Sequence, residues 1–196
     1  MVDYQVRATQ QWLNSTYGAV TGWVHLNEDG VTGWNTIYGL RRGLQAELGI
    51  SPVTSGFGPQ TTANFKSQIG RIDASSNLSS NLWMLLSGSL WCKGFAGLYG
   101  GQTPGFTPLS ASITVIRSDL GLTPDPPFVD VKLMAFLLSM DACVLISGGS
   151  SSIRTVQQWL NATYLWRADF TVNPCDGIYS RAVQTALLYG LQYELG

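Results

Sequence analysis

Charge is scarce in this sequence. Eleven Lys and Arg stand against twelve Asp and Glu in 196 residues, 12% of the chain, for a net charge of −1. Such a chain has no basic field with which to grip nucleic acid or an anionic membrane by charge alone. Histidine is rarer still, with His25 the single example. A zinc site built from several histidines is excluded, and neither Cys nor carboxylates fall at metal-ligand spacing. A Ser-His-Asp or Cys-His site would have to use His25 on a loop, where a solvated histidine is the simpler reading. The Gly-rich stretch 94–105 has no Gly-Lys-Ser/Thr ending, so a phosphate loop lacks support. Cysteines number three, Cys92, Cys143 and Cys175. An odd set allows one disulfide plus a thiol, or three buried thiols; the reading taken here is buried thiols. No run of 18 apolar residues occurs, which predicts no membrane span. The opening Met-Val-Asp-Tyr-Gln has no basic n-region and no apolar h-region. Either an export signal was removed, or the protein leaves by another route, or it stays inside.

What the chain does have is apolar and aromatic: 45% hydrophobic residues, with seven Trp and eight Tyr. Many flat rings among few charges suit uncharged, polar-faced ligands such as sugars, or partners with aromatic-rich surfaces. Glycosidases need two carboxylates facing each other across a cleft. The acids here are scattered, and Glu28-Asp29 is the one adjacent pair that the loops offer. Neighbours in sequence seldom face each other, so no catalytic residue, metal or cofactor is assigned.

A repeat organises the rest. Asp29-Gly30 is a turn signal. Ile37, Leu40, Leu44 and Leu48 follow at helical steps, with Asn35 as the expected N-cap and Gly49 as the stop. At a constant offset of 147, Asp176-Gly177 leads into Leu187, Gly190, Leu191, Gln192, Glu194, Leu195 and Gly196. Residues 153–196 align with 6–49 without a gap and are identical at 17 of 44 positions. At an offset of 72, Gly105-Phe106 leads into Leu109, Ile116, Leu120, Gly121 and Leu122. Repeats that keep spacing, turn and stop together point to one small unit copied three times.

Taken in order, a first helix is expected over 5–17, with Val2, Val6, Thr9 and Leu13 on one face. A loop at 18–33 holds Trp23, His25 and Asp29, and a second helix runs from Trp34 to Leu48. Phe57-Gly58-Pro59 opens a third, ending near Gly70. Residues 72–80 read as a polar linker. In the second unit, helices are expected at 81–92, from Pro108 behind a Thr107 cap, and from Val131 to Met140 behind an Asp130 cap. Residues 147–152 read as a flexible Ser/Gly linker. The third unit, from Ile153, has no sequence for a third helix. That suggests a fragment of a longer protein, or a neighbour that fills the gap. An open helix pair would expose Leu187, Leu191 and Leu195 and invite self-association.

The first unit reads Val-Arg-x-x-Gln-x-x-Leu-Asn, Asp-Gly-x-x-Gly-x-x-Thr, Leu-Gln-x-x-Leu-Gly-Ile and Phe-Gly-Pro-x-Thr. This pattern resembles the peptidoglycan-binding domain family, a compact three-helix module found in tandem ahead of glycoside-hydrolase-like domains in secreted bacterial proteins. The resemblance covers most of 5–70 and, without the last helix, 153–196; it is weaker over 81–141. It departs at Thr32-Gly33-Trp34, where the family has an aromatic before Gly, and at the missing Asp-Gly before Gly105. The resemblance implies an all-α protein of three modules, 1–72, 81–146 and a truncated 153–196. It further implies non-catalytic binding of a peptidoglycan glycan strand or stem peptide, outside the cell or at the wall. A catalytic domain beyond this chain would then be held at its polymer. A hydrolase site inside the chain and a protein-docking scaffold are the rival readings.

By position, the family's shallow groove falls on Asp29, Gly30, Gly33, Trp34, Asn35 and Tyr38. In the third unit it falls on Asp176, Gly177, Tyr179 and Arg181. Turn glycines let a backbone approach ligand closely, and a helix N-terminus offers N–H groups to a carboxylate. The bland alternative is that Asp29 caps the turn and Trp34 packs between helices. Trp12 and Trp159, matched between copies, read as packing residues. Trp23 and Trp166, on loops, are the better ligand candidates.

Overall fold

Asp3 starts the first helix. Its carboxylate accepts the Gln5 N–H at 2.8 Å and the Val6 N–H at 3.1 Å, satisfying two donors that have no partner inside a helix. This helix, α1, runs Tyr4–Tyr17. In the computed structural model, which describes residues 2–196, seven more helices follow: α2 (Trp34–Glu47), α3 (Pro59–Gln68), α4 (Ser80–Cys92), α5 (Thr107–Asp119), α6 (Val131–Leu137), α7 (Ser151–Tyr164) and α8 (Arg181–Leu195). The protein is all-α, as the helical periodicities predict. Two short strands escaped the sequence reading: β1 (Arg71–Ile72) pairs antiparallel with β2 (Val129–Asp130), Arg71 opposite Asp130 and Ile72 opposite Val129. Two-residue strands leave no alternation to detect.

The chain divides into two units. The first holds residues up to Ser112 together with Phe128–Met140. Here α1, α2 and α4 pack on one another around Leu13, Ile37, Leu40, Leu44, Leu85 and Leu86, all without exposed surface. Glycines set the separation of the helices. A β-carbon on Gly43 would lie 2.8 Å from Leu85 Cδ2, and one on Gly88 would lie 2.6 Å from Thr9 Cγ2. Both are shorter than a packed interior allows. In the same unit α3 packs against α6, whose first turn is capped by Asp130 through the Leu133 N–H at 2.8 Å.

The second unit holds Ile113–Pro127 and Asp141–Gly196. Its core is Leu160, Tyr164, Phe170, Val183 and Ala186, shared by α7, α8 and the loop between them. α7 also meets the end of α5: Arg154 Nη2 lies 2.8 Å from Asp119 Oδ1, and Asn161 Nδ2 donates to Leu120 O at 3.0 Å. Cys143 and Cys175 are buried here. They and Cys92 are thiols, not linked in a disulfide, as expected, but Cys92 is half-buried where a buried thiol was expected. Burial pushes the Cys92 thiol up to about 11 and the Cys175 thiol up to about 12.

Three local expectations are corrected. Asn35 is not the cap of α2; Gly33 is, with no side-chain bond, and Asn35 sits inside the first turn. The start is fixed instead by Thr36, whose hydroxyl accepts the Gln10 amide at 2.9 Å. Thr107 likewise lies inside α5 and does not precede it. The stop at Gly49 is as expected: its φ is +69°, and Ile50 N–H donates back to Gln45 O at 2.9 Å. Finally, neither linker is slack. Ile72 is in a strand. Of residues 147–152, Ser151 and Ser152 form the start of α7 and Ser150 precedes it, its N–H donating to Gly177 O at 2.8 Å. Their small polar residues look like a tether only when this partner is out of sight.

Candidate functional site

The turn before each second helix is held by a glutamine from the first. Gln10 Nε2 donates to Asp29 Oδ1 at 2.9 Å, and Gln10 Oε1 accepts the Gly30 N–H at 2.8 Å. Asp29 Oδ1 also accepts the Val31 N–H at 2.9 Å. In the other copy Gln157 Nε2 donates to Asp176 Oδ1 at 2.8 Å, Gln157 Oε1 accepts Gly177 N–H at 2.9 Å, and Ile178 N–H reaches Asp176 Oδ1 at 2.8 Å. One turn earlier or later the pattern persists. Asn14 exchanges two bonds with the Leu26 backbone, both 2.9 Å, and Asn161 does the same with Asn173 at 3.0 and 2.8 Å. Tyr17 and Tyr164 each donate to a glutamate, Glu47 and Glu194, at 3.0 Å.

These bonds place the four predicted turn residues. Asp29, Gly30, Asp176 and Gly177 hold the loop together. Gly30 and Gly177 have φ of +68° and +78°, where a side chain is strained. The Val31 N–H, with the Gln10 amide, holds the Asp29 carboxyl below its usual range. Glu28 is lowered too, chiefly by the Asn14 amide. A general acid needs the opposite shift. His25 is exposed, its Nδ1 3.1 Å from Leu26 O.

The helix starts that follow differ between copies. In the second unit the start of α8 and the loop 169–173 line an open cavity of about 340 Å³. Phe170 and Ala186 are its buried apolar floor, with the exposed Ala182 beside them; Asn173, Thr185 and the exposed Arg181 supply polar groups, and Tyr189 an aromatic edge. Asp169 at the rim is paired with Arg167 at 2.8 Å, which offsets its repulsion of an anion. Of the predicted residues, Arg181 lines this space. Tyr179, 56% exposed, does not.

In the first unit the matching positions carry bulkier groups. Trp34 replaces Arg181, Tyr38 replaces Thr185, and Leu26 replaces Asn173. Leu26 packs so close to Gly39 that a β-carbon there would lie 2.5 Å from Leu26 Cδ1. Trp34 and Tyr38 stack at 5.4 Å, and Trp34 is 50% exposed, with Gly33 and Asn35 beside it. The Arg41 guanidinium lies 5.8 Å from both rings, anchored by Leu138 O at 2.7 Å and Ser55 O at 3.2 Å. The result is an aromatic shelf with a fixed cation at its edge.

Trp12 and Trp159 meet Tyr17 and Tyr164 edge-on at 5.6 and 5.5 Å; the half-buried Trp12 has the packing role its position suggests, whereas Trp159 is 50% exposed. Trp23 lies against Tyr17, and its buried Nε1 has no hydrogen-bond partner among the described residues. Trp166 is largely exposed beside Tyr193. Sequence reasoning missed Phe170, Thr185 and Tyr189. The 147-residue offset from Trp23 and Tyr38 points to the first two. Tyr189 gives no signal, because its counterpart is Arg42.

Comparison with known proteins gives three results. No solved structure matches this chain. Two proteins of Bacillus subtilis (strain 168) are similar along its whole length. One, described as uncharacterized protein FadG, is 40% identical over 196 residues, with 100% of this chain and 34% of that protein covered. The other, described as uncharacterized protein YbfG, is 44% identical over 198 residues, with 100% of this chain and 26% of that protein covered. This chain therefore spans only about a third and a quarter of the curated relatives it matches. Residues 146–196, which carry α7, the Asp176 turn, the cavity and α8, match the family model described as FadG/YbfG, PGDB-like domain, a peptidoglycan-binding-like domain.

Proposed function

We propose that this chain binds bacterial cell-wall peptidoglycan without cutting it, outside the cell, and holds a larger protein at that polymer. The observation that carries the reading is the coincidence of the PGDB-like match with a formed cavity at the start of α8. A space of about 340 Å³ lies at the small end of ligand pockets, large enough for one sugar or a short peptide. Arg181 offers a planar cation to the carboxylate of a stem peptide or lactyl ether. Phe170 and Tyr189 offer flat faces to a sugar ring or a methyl group.

In the first unit, Trp34 and Tyr38 provide a stacking shelf beside the Arg41 guanidinium. Each surface is shallow, so each contributes a modest affinity. Two on one chain raise retention through effective concentration. The binding assignment of Asp29, Gly30, Asp176 and Gly177 then becomes indirect: they shape the loop, and the helix starts meet the ligand.

Sedimentation with purified sacculi tests the reading. The full chain is expected in the pellet, with no muropeptides released. Protein left in the supernatant would overturn the binding proposal, and released muropeptides would overturn the non-catalytic one.

A further inference from the structure

The two copies differ in one large respect: what lies over their apolar row. The offset of 147 carries Thr9, Leu40, Leu44 and Leu48 onto Val156, Leu187, Leu191 and Leu195. The first four are buried. Of the second four, Val156 is 38% exposed, Leu191 56% and Leu195 78%. Gln184 stands where Ile37 does, so the row is apolar from Leu187 onward.

In the first unit the row is covered by α4. Gly88 of α4 crosses at Thr9 and Leu40, close enough that a β-carbon would lie 2.6 Å from Thr9 Cγ2 and 3.1 Å from Leu40 Cδ2. Leu85 fills the space over Gly43. The end of α4 is tied by Glu47: Ser79 Oγ donates to its Oε2 at 3.0 Å and Asn81 Nδ2 to its Oε1 at 2.8 Å. A carboxylate at a helix N-terminus complements the positive end of the dipole.

Apart from Gln184 in place of Ile37, the receptor features around that row recur in the second unit. Gly190 keeps the room that Gly43 gives, Val156 has the shape of Thr9, and Glu194 is held by Tyr164 as Glu47 is by Tyr17. We propose that the exposed face of α7 and α8 is a docking surface for one apolar helix of the α4 kind. Its first residues carry a hydroxyl or amide that donates to Glu194, and a glycine nine residues after the cap crosses Val156 and Leu187. Charge complementarity between Glu194 and the helix N-terminus sets its direction. A second copy of this chain does not supply that helix, because its α4 is already buried.

The test titrates the full chain into a labelled synthetic peptide of residues 79–93 carrying Cys92→Ser, followed by fluorescence anisotropy. A saturable rise is expected. Leu191→Glu in the protein, and separately Gly88→Leu in the peptide, should each weaken it at least ~10-fold, since each removes or blocks one large apolar contact. Leu191 is on the surface, and an unchanged melting temperature verifies that its variant is folded. No binding overturns the proposal, as does binding indifferent to Leu191→Glu, which would mean the peptide displaces α4 in the first unit. A dimer in sedimentation velocity that Leu191→Glu dissociates also overturns it, assigning the face to a second copy.

Discussion

Gln10 and Asp29, nineteen residues apart, are joined at 2.9 Å inside the first unit. The same glutamine amide also accepts from Gly30 and donates to Thr36. One buried side chain thus fixes both the turn and the start of the next helix. Gln157 repeats the bond to Asp176 at 2.8 Å. The start of α8, where Arg181 faces the cavity, is therefore placed from α7.

Gln10→Ala leaves the Gly30 N–H buried and without its acceptor. An unsatisfied buried donor costs roughly 1–3 kcal/mol. Gln11→Ala, on the exposed face of α1, should cost almost nothing. Denaturant unfolding of the two variants checks the difference, and equal midpoints would remove the role assigned to Gln10.

Gly88→Ala should destabilise by about 1–3 kcal/mol, because a β-carbon at that crossing overpacks Thr9 and Leu40. Gly105 has nothing within 4 Å of its would-be β-carbon. Gly105→Ala should fall within about 0.5 kcal/mol of the parent. Thermal melts of both variants decide it.

Arg181→Ala and Trp34→Ala both change exposed groups, and their melting temperatures should stay near that of the parent. Each should reduce co-sedimentation with sacculi several-fold, and the double variant more than either. Retention untouched by Arg181→Ala would clear the α8 cavity of the binding role. Retention untouched by Trp34→Ala would clear the aromatic shelf.

Acid should weaken the fold through Asp29 and Asp73. Both start from an ordinary 3.8 and are lower when folded. Asp73 lies at about 2, chiefly through the Ser75 hydroxyl. A depressed carboxyl stabilises fully above its unfolded value and loses that contribution as pH falls through its folded one. The melting temperature should thus drop between pH 4 and about 2. Asp73→Asn should make that drop shallower. A pH titration of melting temperature that is identical in the variant would contradict it.

Cys92 and Cys175, raised to about 11 and about 12, stay protonated at pH 8. Thiolate is the reactive form. A chromogenic disulfide reagent should label neither in the native protein and all three cysteines after denaturation. Prompt native labelling of Cys175 would show that its loop opens.

Legibility followed period and spacing. Helices with three or more apolar residues on one face were readable, as were Pro59 at the start of α3, Asp130 at the cap of α6 and Gly49 at the stop of α2. The offset of 147 was readable too, and it carries the hydrogen-bond network with it. Asn35 misled because an asparagine before a helical pattern looks like a cap, whereas the true start depends on Gln10 reaching Thr36 across the unit. The cavity is half legible: Arg181 follows from its place after the Asp-Gly turn, but Tyr189 lies where the first copy has Arg42.

The amino-acid sequence alone determined that the chain is helical, that its first and third segments are copies, and that their loops turn at Asp-Gly. Those properties are local, written in spacing of a few residues. Which helix covers which face was decided only in three dimensions. α4 closes over α1 and α2 because Gly43 and Gly88 admit it and Glu47 holds its first turn. Such matches join residues dozens of positions apart, and no local period encodes them.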